Sequence, residues 1–140
     1  MNENWQYYGV FFDENTSKEI LNKAKRWLQS QDYYIPNDWK IYCHHMTIVY
    51  NDGSEKRQKM AESLEQFINK QCTLNVIGIG VSDRAIALAV DFKTQNKHSH
   101  VTVAVAPTAK PVESNYITNW YKFEENFQIR GTYDKVIKKK

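Results

Sequence analysis

The pattern of apolar and polar residues along the chain predicts six short strands and two amphipathic helices. Apolar residues recur at helical spacing over residues 16–31, with Thr16 or Asn15 as the N-cap, and again over residues 54–71. Runs rich in aromatic and β-branched residues, each bounded by turn-forming residues, predict the strands. These strands cover residues 7–12, 40–50, 73–81, 85–92, 100–106 and 127–137.

The segments between these elements have the composition of turns and loops. Residues 51–53 (Asn-Asp-Gly) close the second strand, and residues 82–84 (Ser-Asp-Arg) predict a hairpin. Two prolines make residues 107–112 irregular, a short helix is expected within residues 114–123, and Gly131 is expected at a bulge. Strands and helices alternate at first and four strands follow, which predicts an α+β domain with two sheet-bearing lobes and a site between them.

Length and composition fit one soluble domain that spans residues 1–140. Apolar residues make up 41% of the chain and charged residues 25%, which is ordinary for a globular protein. The two cysteines form no disulfide framework, and the chain has no signal-peptide pattern or apolar run of membrane length, so a cytoplasmic protein is expected. The net charge of +3, part of it in the basic tail of residues 138–140, suits a small anionic ligand better than a long nucleic acid.

Two His-x-Thr tetrads are the strongest chemical pattern in the chain. Residues 45–48 (His-Met-Thr-Ile) lie on the second predicted strand, and residues 100–103 (His-Val-Thr-Val) lie on the fifth. Because side chains alternate between the two faces of a strand, the His and Thr of each tetrad share one face, and the apolar residues point to a core. If the two lobes bring these strands face to face, four polar side chains converge. These four are His45, Thr47, His100 and Thr102.

Two imidazoles and two threonine hydroxyls suit the cleavage of a phosphodiester. One His can take a proton from the attacking hydroxyl or water while the other protonates the leaving oxygen. The hydroxyls can hydrogen-bond the nonbridging oxygens as negative charge builds up. No carboxylate-rich motif of the kind that holds Mg²⁺ is present, so neither a metal nor a cofactor is expected.

Two other interpretations of the histidines compete with catalysis. A single His on a strand is more often a structural residue, but two tetrads on strands 55 residues apart favour a shared site. The four histidines of the chain also raise the alternative of a zinc site. On a strand, His44 would be turned away from its neighbour His45, and His98 is expected in or beside a loop. Neither cluster contains Asp or Glu, which further disfavours zinc.

The paired tetrads make the chain resemble the 2H phosphoesterase superfamily. The resemblance implies a bilobed, pseudo-twofold α+β fold in which two antiparallel sheets flank a central cleft, with the helices outside. It also implies metal-independent action on 2′,3′-cyclic phosphates, 2′-5′ linkages or cyclic nucleotides. Carried over by position, His45 and His100 are the acid/base pair, and Thr47 and Thr102 are the phosphate ligands.

Further segments resemble particular branches of that superfamily. Residues 44–47, 110–115 and 129–133 are similar to cyclic-phosphodiesterase domains associated with tRNA-ligase-type RNA repair. The compact length is similar to that of phage anti-CBASS enzymes, which degrade cyclic-oligonucleotide alarm signals. The expected partner is therefore a small nucleotide or cyclic oligonucleotide, or an RNA end. A nucleotide sponge that does not turn over its ligand and an RNA-binding module are the alternatives.

Six residues are candidates for contacts with the substrate outside the phosphate. One set follows the second tetrad strand and offers a cation and polar groups, although the same residues are typical of a turn. The other set is aromatic and suits base stacking, although core packing is the usual role of such rings. The first set is Lys110, Ser114 and Asn115, and the second is Tyr8, Phe12 and Trp120.

Overall fold

The strands and helices follow the predicted order along the chain, with one additional strand. The computed structural model describes residues 4–138, so Lys139 and Lys140 of the basic tail lie outside the described residues. The strands are β1 (Trp5–Phe11), β2 (Lys40–Ile41), β3 (His45–Tyr50), β4 (Gln71–Val81), β5 (Ala85–Asp91), β6 (His100–Val105) and β7 (Trp120–Ile137). The helices are α1 (Glu14–Ser30), α2 (Glu55–Leu64) and two 3₁₀ helices, Glu65–Phe67 and Pro111–Tyr116.

The strand predicted over residues 40–50 is in fact two strands. Cys43 has a φ of 63°, a left-handed conformation that breaks the extended backbone. The N–H groups of Tyr42 and Cys43 donate to the carbonyls of Val103 and Thr102 at 2.8 and 2.9 Å, so the break is fixed against β6. As a result β2 pairs with β6, and β3 pairs with β1.

All seven strands form one antiparallel sheet in the order β2-β6-β5-β4-β7-β1-β3. Two separate flanking sheets are not confirmed, because β7 begins at Trp120 rather than at residue 127 and bonds β4 on one edge and β1 on the other. The sheet curls into a half-barrel, so that β3, at one end of the order, contacts β6 near the other. The α+β class is confirmed.

The helices differ from their predicted bounds at the ends. Asp13, rather than Thr16 or Asn15, caps α1, because its Oδ1 accepts from the Thr16 N–H at 2.8 Å. The second helix gives way to a 3₁₀ turn after Leu64 and does not reach residue 71, which already belongs to β4. The short helix expected within residues 114–123 is the 3₁₀ helix Pro111–Tyr116.

The core lies between α1 and the sheet. Ile20, Ala24 and Leu28 of α1 pack into the same buried cluster as Met46 of β3 and Val101 of β6, so α1 covers the face opposite the His/Thr pairs. The second helix packs against a second, smaller cluster of buried residues. Its Ala61 packs with Trp5, Tyr8 and Val49, and its Arg57 reaches the cavity described below. None of the helices within residues 4–138 combines the length and apolar character needed to cross a bilayer.

Gly131 lies at a regular position of β7, opposite Cys72, and not at a bulge. The reason for glycine is close packing. A Cβ atom here would lie 2.5 Å from Val10 Cγ1 and 2.8 Å from the carbonyl oxygen of Phe11, both of which belong to the neighbouring strand. Any larger residue must push β1 away from β7.

We expect the substitution Gly131→Ala to lower the free energy of unfolding by about 1–3 kcal/mol, the usual cost of overpacking a core. Arg130→Ala, at the adjacent exposed position, is the matched control and should stay within about 0.5 kcal/mol of the parent protein. Urea denaturation of the three proteins measures the difference. Equal stability of the two variants would show that β1 can shift freely.

Candidate active site

A cavity of about 880 Å³ opens where β3 and β6 face each other, a size that suits a small ligand. Strand alternation determines which side chains form its walls. Met46 and Ile48 are fully buried, as are Val101 and Val103, whereas the His and Thr between them are half-buried and line the cavity. The structure therefore brings together the four residues that the tetrads predicted: His45, Thr47, His100 and Thr102.

The tautomer of His100 is fixed by a backbone carbonyl. Its Nδ1 lies 2.8 Å from the carbonyl oxygen of His98, and because a carbonyl only accepts, Nδ1 carries a hydrogen and donates it. The nitrogen left for a ligand is Nε2, which accepts when the ring is neutral and donates when it is charged. On the same strand Thr102 Oγ1 lies 2.9 Å from Oγ of the buried Ser114, which holds the threonine in place.

The partner of His45 is His44. The two Nδ1 atoms lie 3.1 Å apart and the rings stack with centroids 5.3 Å apart. The prediction that His44 is turned away is wrong, because His44 precedes β3 and follows the left-handed Cys43, so strand alternation does not apply to it. His98 lies in the loop before β6, as expected, and also lines the cavity.

The opposite-face argument against a shared metal ion therefore does not hold for His44 and His45. Within the described range, residues 4–138, no group of three or more His, Cys, Asp or Glu side chains has an arrangement that could hold a metal ion.

The charge of the cavity wall favours an anion. Among the described residues that line it, Arg57, Lys97 and Lys110 are cationic and none is Asp or Glu. Burial, together with the charges that His44 and His100 can carry, lowers the pKa of His45 to about 4. Burial also lowers the pKa of His100, against the opposing effect of its bond to the His98 carbonyl. The site thus holds neutral imidazoles at pH 7 within a cationic rim.

The six predicted substrate contacts divide between the cavity and the core. Lys110, Ser114 and Asn115 all line the cavity. Trp120 does not line it, but its ring stacks on the ring of His98, with centroids 5.0 Å apart, so it supports the wall. The predictions for Tyr8 and Phe12 as stacking platforms are wrong, because both rings are buried in hydrophobic clusters.

Strand alternation in β1 accounts for this difference. Tyr8 and the buried Val10 share one face of β1, and Tyr7 and Phe11 share the other. The rings that reach the site are instead Tyr7 and Phe11, which stack on His45 with centroids 5.1 and 5.3 Å away. The adjacent aromatic pair Tyr7-Tyr8 was the only sequence hint, and it does not reveal which ring faces the site.

A curled antiparallel sheet that sets two His/Thr pairs around one cavity defines a phosphodiesterase domain of the 2H class. Residues 7–140 match the family described as the fungal tRNA ligase phosphodiesterase domain, and the chain belongs to this family of cyclic phosphodiesterase domains. Membership implies phosphodiesterase activity in general.

The fold is also similar to that of a solved structure titled "Crystal Structure of Fungal RNA Kinase". The TM-score is 0.63 at 13% sequence identity, over 95% of this chain and 45% of that chain. At this identity the likeness concerns the fold, and the chain spans less than half of that protein. No curated protein sequence is significantly similar to the chain.

The lowered pKa of His45 makes stability depend on pH in a definite direction. The unfolded chain takes up this proton near the ordinary histidine value of about 6.5, whereas the folded chain resists protonation down to about 4. The stability that the folded protein has from a neutral His45 is therefore fully present above pH 6.5 and is lost as the pH falls toward 4. We expect the unfolding free energy to fall over this interval by up to about 3 kcal/mol from this group.

The variant His45→Gln should reduce that fall, because glutamine does not titrate. His98→Gln, at an exposed histidine of the same cavity, is the matched control and should keep most of it. Urea denaturation at pH 7.0 and at pH 4.5 provides the measurement. The same pH dependence in His45→Gln as in the parent protein would contradict the assignment.

Proposed function

We propose that the chain is a metal-independent phosphodiesterase that hydrolyses the 2′,3′-cyclic phosphate at an RNA end. One observation carries the proposal: two His/Thr pairs line a single cavity whose described wall contains cations and no carboxylate. Membership in the tRNA ligase phosphodiesterase family favours an RNA-processing substrate over the other nucleotides that this chemistry suits.

The reaction needs only the side chains already described. Water attacks phosphorus, and one imidazole accepts a proton from it through Nε2. The bond between phosphorus and one ribose oxygen breaks, and the second imidazole, which is protonated, donates its proton to that oxygen. The product is a phosphomonoester on one ribose hydroxyl with the other hydroxyl free. His45 and His100 take these two roles, and either order balances the protons.

The threonines and the cationic rim stabilise the charge that develops on phosphorus. Thr47 and Thr102 sit two residues after each His on the same strand face, so their hydroxyls can reach the nonbridging oxygens when the imidazoles reach the bridging ones. Because Ser114 bonds Thr102 at 2.9 Å, that hydroxyl is oriented before the ligand arrives. Lys110 adds positive charge at the same wall.

A panel of substrates tests the proposal. Each substrate is incubated with the protein in EDTA, and the products are separated by chromatography. We expect cleavage of an RNA oligonucleotide that ends in a 2′,3′-cyclic phosphate. Cyclic oligonucleotides and 2′-5′ oligoadenylates belong in the same panel, because the chemistry also suits them. Cleavage of either would indicate that the protein counters cyclic-nucleotide or oligoadenylate signalling. No cleavage of any member, or cleavage only after zinc is added, would contradict the proposal.

Single substitutions separate the enzyme from a nucleotide sponge. We expect His45→Ala and His100→Ala each to lower kcat by roughly 10²–10⁴-fold, the usual range for loss of one acid/base group. Because all four histidines line the cavity, none of them can serve as a control, and a pair of threonines is used instead. Thr47→Val should impair turnover, whereas the control Thr73→Val, at an exposed position of β4, should not. If His45→Ala and His100→Ala retained the biological effect while binding ligand, the sponge would be correct.

The pH dependence of kcat/KM follows from the two lowered histidine pKa values. Catalysis by the free enzyme needs one imidazole neutral and the other protonated, so activity is highest between the two values. Both lie below the ordinary value of about 6.5. We therefore expect an optimum below pH 6.5 and a fall on the alkaline side. A profile measured from pH 4 to pH 9 whose optimum lies above pH 7 would contradict this.

A further inference from the structure

A row of aromatic rings leads from the site toward solvent. The ring of Tyr7 stacks on His45 with centroids 5.1 Å apart, and the ring of Tyr50, which is paired with Tyr7 on β3, lies 6.0 Å from it with an interplanar angle of 9°. Tyr7 is half-buried, whereas Tyr50 is 45% exposed and lines the cavity. The row therefore ends in a ring that is available for another planar group.

A cation is held beside this last ring. Arg57 Nη1 donates to the carbonyl oxygen of Tyr50 at 3.2 Å, and its Nε lies 3.4 Å from a carboxylate oxygen of Asp52. These bonds fix the guanidinium at the rim, where it lines the cavity, and they use only part of its five N–H donors. An aromatic face next to a positioned cation suits a stacked base followed by a phosphate.

We propose that Tyr50 and Arg57 form a subsite for the nucleotide that precedes the terminal one. Its base stacks on the ring of Tyr50, and Arg57 contacts the phosphate that joins the two nucleotides. This rests on the proposed function and narrows it, since the preferred substrate is then an oligonucleotide end and not a free nucleoside cyclic phosphate.

The test compares two substrates with the same reacting group: a nucleoside 2′,3′-cyclic phosphate and a dinucleotide that ends in it. We expect the parent protein to prefer the dinucleotide in kcat/KM by roughly five- to a hundredfold, the range for one stacked base. Tyr50→Ala should bring this ratio toward one, and Tyr50→Phe should keep it. Tyr34→Ala, at a 70% exposed ring that does not line the cavity, is the matched control.

The outcomes are distinguishable. If both substrates are cleaved and the ratio is the same in Tyr50→Ala as in the parent protein, the subsite is wrong and the proposed function stands. If neither substrate is cleaved, both are wrong. Arg57→Ala should lower the preference for the dinucleotide and make this preference less sensitive to salt. An unchanged salt dependence would show that Arg57 is not part of the subsite.

A second inference rests on a separate observation, the 3.1 Å contact between the Nδ1 atoms of His44 and His45. As a general base His45 needs a bare Nε2, and as a general acid it needs both nitrogens protonated, so in either role its Nδ1 carries a hydrogen. That hydrogen points at His44 Nδ1, which must be bare to accept it. The arrangement parallels His100, whose Nδ1 donates to the carbonyl of His98.

We infer that His44 is a positioning residue that accepts the Nδ1 hydrogen of His45 and so presents its Nε2 to the phosphate, an inference that rests on the proposed function. The groups around His44 favour the neutral, accepting form. The ring of Tyr42 packs against it with centroids 5.6 Å apart. Partial burial lowers the pKa of His44, and the charge of Lys40 lowers it in the same direction.

Two substitutions test this role. His44→Asn keeps an acceptor oxygen near the position of Nδ1, and His44→Leu removes it. We expect His44→Leu to lower kcat on the order of tenfold or more with a smaller change in KM, and His44→Asn to recover most of kcat. Nitrogen-15 NMR should show hydrogen on His45 Nδ1 in the parent protein and in His44→Asn. An unchanged kcat and tautomer in His44→Leu, or equal loss of kcat in both variants, would overturn the inference.

Discussion

Three residues join the two ends of the sheet, and the active-site cavity depends on this short connection. Residues 42–44 leave β2, at one end of the strand order, and enter β3, at the other. Because a chain extends at most about 3.5 Å per residue, so short a segment can connect these strands only if the sheet curls until its ends meet. The left-handed backbone of Cys43 makes the crossing, and two hydrogen bonds to β6 hold it there.

The chemistry of the site follows from that closure. Strand alternation alone would give two His/Thr pairs on two remote strands, and the curled sheet turns them toward one cavity. The same crossing places His44 against His45, outside the alternation of β3. Closure also excludes water from the two imidazoles, which lowers the pKa of both, and the cationic rim supplies the attraction for phosphate that neutral imidazoles lack.

The features that local pattern determines could be predicted from the sequence, and those set by distant contacts could not. The tetrads and their apolar partners such as Met46 follow a period of two, so their strands and faces are confirmed. The position of His44 depends on bonds that Cys43 and Tyr42 make to β6, which leave no trace in the local pattern. Alternation puts Tyr7 and Tyr8 on opposite faces of β1, but which of the two faces meets the site is decided by the pairing of β1 with β3 and β7.

The central claim is that the two imidazoles act on one phosphate. The most direct test titrates nitrogen-15-labelled protein with a nucleoside 2′-monophosphate and follows the Nε2 signals of His45 and His100 by NMR. The account predicts that both signals shift with the same dissociation constant, and that His45→Gln weakens the binding reported by His100. A shift of only one histidine, or two different dissociation constants, would contradict a shared phosphate site.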